Sequence, residues 1–266
     1  MNVTLFKLGG SLITDKSKPY TARPQIIHRV LLEIKSALQK KPDINLVLGH
    51  GAGSFAHQSA KKFGTIDGFN NDKGKFGACF VHADAMKLHE IVLEECMKLK
   101  LPIFSLQPAS FLLTKNKKVY FANFEILEAV LKKKMIPLIF GDVIIDTQIG
   151  ATIYSTDKLF SMLANYLQDK NYAVNQIIHS GHYKGIYDQN GKVIKKITKQ
   201  NYLQVLNTIK PSIHADVTGA MEGKIKEAIK VAERGIKTLI TDGSKTGQIA
   251  DVLLGKRAAG TTISKD

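Results

Sequence analysis

The sequence predicts an α/β protein whose central sheet is mostly parallel and carries helices on both faces. Three observations predict it. Short apolar runs rich in β-branched residues alternate with stretches of helical periodicity along the chain. Glycine clusters stand at the ends of several of these runs. One hairpin signal, Asn190-Gly191, interrupts the alternation. Strand followed by helix, repeated, is the pattern of parallel strands joined by crossovers.

The elements follow in order. VTLFKL (3–8) reads as the first strand. Residues 23–40 place Ile27, Val30, Leu31, Ile34 and Leu38 on one helical stripe, with Pro24 near the start. INLVLG (44–49) is the next strand, and residues 82–99 form a second long helix. PIFSL (102–106) is a strand, Phe124–Lys133 a helix, and IPLIFGD (136–142) a buried strand. Residues 156–169 are helical, and AVNQIIHS (173–180) returns to strand. YDQNGKVI (187–194) is the hairpin. Residues 223–235 form an amphipathic helix that stops at Gly235, and KTLIT (237–241) is the last clear strand. A lobe boundary is expected near residue 147, dividing one compact domain into 1–147 and 148–266.

The 266 residues are 44% hydrophobic, enough for a sizeable core, and the 23% charged content argues against disorder. Cys79 and Cys96 lack metal-ligand spacing, so neither a disulfide framework nor a metal site is expected. No basic start precedes a long apolar stretch, and no run approaches a membrane span. The expectation is a soluble, cytoplasmic protein without membrane attachment. The net charge of +15 favours polyanions or phosphorylated small molecules. The lysines are dispersed, however. The densest group, Lys132–Lys134, has no interleaved aromatics, and there is no Trp. A basic solvated surface accounts for the charge better than a nucleic-acid partner does.

The chemistry concentrates where strands end. Ligands of open α/β sheets bind beyond the carboxyl ends of strands. Three clusters stand there: Lys7, Gly9, Gly10 and Ser11; then Gly49, Gly51, Ala52 and Gly53; then Gly141 and Asp142. Glycine lets backbone N–H groups approach an anion, and a helix start adds favourable partial charge. His57, one turn into the next helix, can reach the same anion. Packing alone also explains glycine-rich strand-to-helix turns. Neither the Rossmann nor the P-loop spacing fits in context, and Ser54 lacks the nucleophile-elbow spacing. There is no convincing metal-ligand cluster. His50, His82 and His89 read as ordinary surface histidines. Lys7, Lys16 and Lys224 sharpen the case, because each lies near a glycine turn. Lys224 reads as a helix-start lysine, which calls for an anion to offset the dipole. Three such lysines suit a phosphoryl group in transfer.

At this point the motifs KLGGSLITDK, GHGAGSFAH, GDV, STD, DVTGAMEGK, TLITDG and GTTI, in this order, resemble the amino acid kinase family. Within it they are most similar to the isopentenyl phosphate kinase branch, and fosfomycin-type kinases look alike at the second motif. The resemblance runs over nearly the whole chain. It implies an open αβα sandwich, ATP and Mg²⁺ as cofactors, a small phosphate acceptor, and a homodimer formed through helices of the first half. It places the acceptor in the N-terminal lobe and ATP in the C-terminal lobe. Lys7 and Lys224 would stabilise the transferring γ-phosphoryl group, with Asp157 holding both lysines. Gly9 and Gly10 would offer N–H groups. Lys16, with Ser11, Gly185 and Tyr187, would contact ATP. Gly51, Ala52, Gly53, Gly141 and Asp142 would border the acceptor, and His57 would hydrogen-bond it.

The expected activity is phosphorylation of isopentenyl phosphate to isopentenyl diphosphate. An acceptor that is already a phosphate needs no strong base, so the task is to bring two polyanions together. An apolar pocket from residues 82–99, with Ala83, Met86 and Ile91, would suit a short isoprenoid tail, and plain core would suit them equally. His182 and Lys184 stand where the family carries acidic residues, which reverses the local charge in the nucleotide half. Ala56 stands where glycine is frequent. The alternatives are a kinase of a phosphonate, carbamate or acyl acceptor, and a nucleotide-binding regulator without kinase activity.

Overall fold

The computed structural model describes residues 1–65, 68–69, 71–209, 216–256 and 258–266, with 216–220 as backbone only. The chain begins with β1 (Asn2–Leu8), α1 (Gly10–Ile13), α2 (Pro24–Lys40), β2 (Asn45–His50), α3 (Gly53–Phe63) and α4 (Asp72–Lys98). There follow β3 (Ile103–Ser105), β4 (Leu112–Lys115), β5 (Lys118–Ala122), α5 (Glu125–Lys132), β6 (Ile136–Phe140), β7 (Asp142–Asp146) and β8 (Gly150–Tyr154). The second half holds α6 (Thr156–Asp169), β9 (Ala173–Gly181), β10 (Ile186–Tyr187), β11 (Val193–Ile194), β12 (Lys196–Ile197) and α7 (Tyr202–Thr208). It closes with α8 (Asp216–Glu233), β13 (Lys237–Asp242), α9 (Gln248–Leu253) and β14 (Thr261–Ile263).

Eight strands form the main sheet in the order β12-β14-β13-β9-β1-β2-β6-β3. Every neighbouring pair is parallel except β13–β14. The alternation of side chains along each strand sorts the core into two layers. Phe6, Leu8, Leu46, Leu48, Leu138 and Ile178 face α2, α4 and α9. Val3, Leu5, Val47, Ile139 and Ile177 face α5 and α6. Helices therefore cover both faces, which is the αβα sandwich expected. Among the described residues no helix is long and apolar enough to cross a membrane.

Three elements differ from the sequence reading. The helix assigned to 82–99 begins earlier, at Asp72, where the Asn71 side chain accepts the Gly74 N–H at 2.8 Å. Gly74 and Gly77 hide this first part from a propensity reading. Gly77 is there because the Phe63 side chain of α3 occupies the space of a Cβ. The strand assigned to 136–142 stops at Phe140, and β7 then joins a second sheet ordered β5-β4-β7-β8. The β4–β5 turn carries no glycine: Asn116 and Lys117 adopt φ of 50° and 64°. The buried Asp146 carboxylate accepts both of their N–H groups, at 3.0 and 2.7 Å. A partner thirty residues away thus supplies what Asn-Gly supplies locally in other hairpins. Third, the helix assigned to 223–235 starts at Asp216, the first residue of DVTGAMEGK. The side chains of Asp216–Ala220 lie outside the described residues.

Candidate active site

The site grows from one row across the sheet. Lys7 on β1 has Gly49 on β2 and His179 on β9 as register partners. All three point to the α6 side, the face shared by Val3 and Leu5. Gly49 belongs there because a Cβ would lie 2.8 Å from Phe160 and Thr156, so glycine admits the start of α6. Ser155 caps that helix by accepting the Lys158 N–H, and Thr156 donates its hydroxyl to the His50 carbonyl at 2.6 Å. Asp157 in the first turn is thereby seated above Lys7.

Asp157 Oδ1 lies 2.8 Å from Lys7 Nζ and 2.7 Å from Lys224 Nζ. Side-chain exposures are 9%, 14% and 16% for Lys7, Asp157 and Lys224, so the cluster is largely withdrawn from water while its lysines keep an open edge. His179 Nδ1 lies 3.1 Å from the same oxygen but is not aligned for a hydrogen bond. Burial by itself would raise the Asp157 carboxyl; Lys224 and Lys7 reverse this and hold it well below the usual carboxylate range. Burial, with Lys224 adding to it, pushes Lys7 down to about 8 against the pull of Asp157. Burial and the lysines hold His179 well below the usual histidine range, hence neutral. One carboxylate therefore keeps two ammonium groups side by side. Their remaining N–H donors suit a group with several anionic oxygens.

The two glycine loops meet beside this cluster. A Cβ on Gly10 would lie 2.5 Å from the Gly53 nitrogen, and one on Gly51 2.9 Å from the Gly10 nitrogen. Thr14 joins the loops: its hydroxyl donates to the Gly10 carbonyl at 2.7 Å and accepts the Ser54 N–H at 2.9 Å. The amides divide into two groups. Gly9 donates to Ser180 O at 2.7 Å and Gly51 to Leu8 O at 3.0 Å, so both are spent on the fold. This corrects the expectation that Gly9 offers its N–H to a phosphate and that Gly51 presents its own. Among the described residues the Gly10, Ala52 and Gly53 amides have no hydrogen-bond partner. They stand at the starts of α1 and α3, where N–H groups attract an anion.

Other expected residues are placed as follows. Ser11 is half-buried in α1, and Lys16 lies on the exposed turn after it. His57 is exposed on α3, in the fifth position from Gly53. Lys224 is no helix-start residue; it lies eight residues beyond Asp216, and Asp157 rather than a dipole argument accounts for it. Gly141 is buried at the corner between β6 and β7 and donates to the His50 carbonyl at 3.3 Å. The Asp142 carboxylate is fully buried and turned inward. It accepts from His82 Nδ1 at 2.7 Å and from the Val143 N–H at 2.8 Å. The Asp142 side chain is thus spent on His82 and the backbone of β7 rather than presented to solvent. Donating to the Asp142 carboxylate raises His82 above the usual histidine range. Gly185 is buried with φ of 147°, and a Cβ there would meet Thr261 and Val193. Tyr187 is half-buried in β10, and its hydroxyl accepts the Lys184 N–H at 3.4 Å. His182 and Lys184 are both exposed.

Three histidines read as surface residues are corrected by the structure. His50 ends β2 and is 1% exposed; its Nε2 lies 3.0 Å from His89 Nδ1. His89 is 8% exposed, and His82 is the partner of Asp142. Thr14, His179, Ser180 and the His50–His89 pair carried little signal in the sequence. Only the placement of His179 and Ser180 at the end of an apolar strand could have marked them, as the end of β1 marked Lys7.

The sequence pattern of the Amino acid kinase family matches residues 2–242. The chain belongs to the amino acid kinase family. Among amino acid kinase relatives, the isopentenyl phosphate kinase of Methanocaldococcus jannaschii is 33% identical over 270 residues, 98% of each chain. That of Methanothermobacter thermautotrophicus is 27% identical over 269 residues, again 98% of each. A solved isopentenyl phosphate kinase superposes with a TM-score of 0.83 at 24% identity, covering 98% of this chain and 100% of that one. The N-acetylglutamate synthase of Neisseria gonorrhoeae shares the fold at a TM-score of 0.68 and 15% identity, with 61% of its own chain covered. In this amino acid kinase family member, two lysines share one carboxylate, and the glycine loops lie next to them. Among the described residues no group of three His, Cys, Asp or Glu side chains could hold a metal ion.

Proposed function

We propose that this chain transfers the γ-phosphoryl group of ATP to isopentenyl phosphate, releasing ADP and isopentenyl diphosphate. One observation carries the chemistry: Lys7 and Lys224 meet on Asp157 beside the amides of Gly10, Ala52 and Gly53, which have no hydrogen-bond partner among the described residues. The choice of acceptor follows the relatives, which are isopentenyl phosphate kinases matched end to end.

In this reading residues 1–147 receive the acceptor and residues 148–266 the nucleotide. The acceptor phosphate sits on the amides of Ala52 and Gly53, with His57 donating to it. Its anionic oxygen attacks the γ-phosphorus, and the bond to the β–γ bridging oxygen breaks. No strong base is needed, because a phosphate monoester is already ionised near neutral pH. Lys7, Lys224 and the Gly10 amide face the transferring group and offset its spreading charge. Asp157 keeps the two ammonium groups apart at a fixed spacing before either ligand arrives, so no reorganisation is needed at the reaction. Lys16 contacts ATP phosphates, with Ser11, Gly185 and Tyr187 on the nucleotide side. Lacking a carboxylate cluster among the described residues, the protein would take Mg²⁺ with the nucleotide, held mainly by phosphate oxygens and water. The metal would supply further charge neutralisation. A homodimer and a cytoplasmic location belong to the same proposal.

The test is ADP release by purified protein over a panel of acceptors. Isopentenyl phosphate should be turned over well ahead of fosfomycin, carbamate and acyl acceptors. Folded protein that binds ATP but phosphorylates no alkyl phosphate rejects the reading.

A further inference from the structure

A chain of three side chains runs from the outer edge of the sheet to the Gly51 loop, and among the described residues none of them hydrogen-bonds to Lys7, Asp157 or Lys224. Ser105 Oγ, at the end of β3, lies 2.5 Å from His89 Nε2. His89 Nδ1 lies 3.0 Å from His50 Nε2. His50 Nδ1 lies 3.2 Å from the Gly51 carbonyl. Phe140 stacks on both imidazoles, with centroid distances of 5.5 Å to His50 and 4.3 Å to His89.

The partners settle the direction of every hydrogen bond. A carbonyl oxygen only accepts, so His50 must carry its proton on Nδ1. A neutral imidazole has one donor and one acceptor, so His50 Nε2 accepts. His89 must then donate from Nδ1 and accept at Nε2, and the Ser105 hydroxyl must donate to it. The apolar face of Phe140 and the burial of both rings favour the neutral forms this requires. Burial pushes His50 down to about 3 and His89 down to about 4.

The end of the chain matters because a trans peptide is planar, with its C=O and N–H pointing in opposite directions. Fixing the Gly51 carbonyl fixes the Ala52 N–H, one of the three amides beside the lysines that have no partner among the described residues. The Gly51 N–H is already fixed by Leu8. The backbone of His50 ties in the remaining borders, since its carbonyl accepts from Thr156 and Gly141.

We infer that Ser105, His89 and His50 are positioning residues: a one-directional hydrogen-bond chain that aims the Ala52 amide at the acceptor phosphate. The inference rests on the proposed reaction for the identity of the acceptor, but its tautomers can be read without any turnover.

The experiment has two arms. In the first, ¹⁵N-labelled wild-type protein is examined by imidazole NMR, with the His50 and His89 signals assigned by substitution. Both should be Nδ1–H tautomers at pH 7; an Nε2–H tautomer at either position overturns the chain. In the second, H50L, H50N and S105A are compared with wild type for KM of isopentenyl phosphate, KM of ATP, kcat and Tm. H50L removes the donor to Gly51, and acceptor KM should rise about tenfold, the loss of one hydrogen bond, while ATP KM stays near wild type. H50N returns an N–H donor near the Nδ1 position and should recover most of that loss. S105A should raise acceptor KM in the same direction, without a matching change for ATP. Folded H50L with unchanged acceptor KM, or H50N as impaired as H50L, overturns the inference. If H50L does not fold, S105A and the tautomers decide. Wild-type protein that turns over no alkyl phosphate rejects the reaction and leaves the tautomer arm to judge the chain.

Discussion

Lys224 on α8 reaches Asp157 on α6 at 2.7 Å, on the same carboxylate oxygen that holds Lys7 of β1. Two cations of like sign share one anion, and that sharing is what makes the site possible. Without Asp157, bringing two ammonium groups together in a largely buried place would be opposed by repulsion and desolvation alike.

Lys224→Ala should therefore depress turnover much more than stability. Removal of a donor aimed at a developing charge costs about 10²-fold or more in kcat. Asp157 retains Lys7 as its partner, so Tm should move little. Steady-state kinetics alongside a melting curve checks both halves; a kcat equal to wild type would remove Lys224 from the reaction.

Asp157→Asn should act the other way, on stability as well as rate. It leaves Lys7 and Lys224 facing each other with no counter-charge. Stranding buried charge in this manner costs about 3–5 kcal/mol. Urea unfolding measures it, and a variant as stable as wild type would contradict the account of the cluster. The sign with pH follows from the lowered carboxyl. The stability it contributes is present above the ordinary carboxylate range and is lost as pH falls through the lowered folded-state pKa.

Lys7 makes the activity pH-dependent on the alkaline side. Its pKa is pushed down to about 8 by burial and by Lys224. In the free enzyme, kcat/KM should fall as pH rises through about 8, because the ammonium form is the one that faces phosphate. Lys7→Arg keeps its charge at any such pH and should abolish that fall, though at a lower maximum rate because the fork geometry differs. A wild-type profile flat to pH 10 would count against it. The stability sign is opposite to that of activity. Between about 8 and 10.5 the unfolded chain holds the proton and the native chain does not, so this group's contribution to stability rises with pH.

Gly10→Ala tests the contact between the two loops. Its Cβ would meet the Gly53 backbone, which cannot rotate away as a side chain could. Overpacking of this kind costs about 1–3 kcal/mol. The loops must separate, so KM for the acceptor should rise together with the loss in Tm. An alanine variant with wild-type stability and kinetics would show that the loops are not in contact in solution.

Asp146→Asn probes the second sheet independently of the chemistry. Burial would raise this carboxyl, yet backbone N–H groups of Lys117, Gln148 and Ile149 hold it far below the usual range. Asparagine keeps one acceptor oxygen and brings an amide that cannot accept. The cost should be about 1–3 kcal/mol at neutral pH and should shrink as pH falls and the wild-type carboxyl protonates. A difference that stays constant down to pH 2 would argue against the bonded carboxylate.

Much of the fold was legible because its signals are local. The stripe from Ile27 to Leu38, the apolar run from Leu46 to Leu48, and the helical pattern of residues 156–169 each declare an element within one window of sequence. Lys7, Gly9, Gly10, Gly51, Gly53, Asp157 and Lys224 stood out for the same reason: they lie at strand ends or in recognisable motifs. The β4–β5 hairpin did not stand out, because its turn is held by the distant Asp146 rather than by glycine.

By itself the sequence determined most strands and helices of the main sheet and which cations and glycines could serve phosphate. Only the tertiary structure decided how they are used. Strand register put Lys7 beside His179, and the close approach of α6 over Gly49 put Asp157 on both lysines. Backbone pairing spent the Gly9 and Gly51 amides and, among the described residues, left those of Gly10, Ala52 and Gly53 without a hydrogen-bond partner. The reason is physical: hydrogen-bond partners and charge pairs form between atoms near in space, and periodicity along the chain reports only which face a side chain takes.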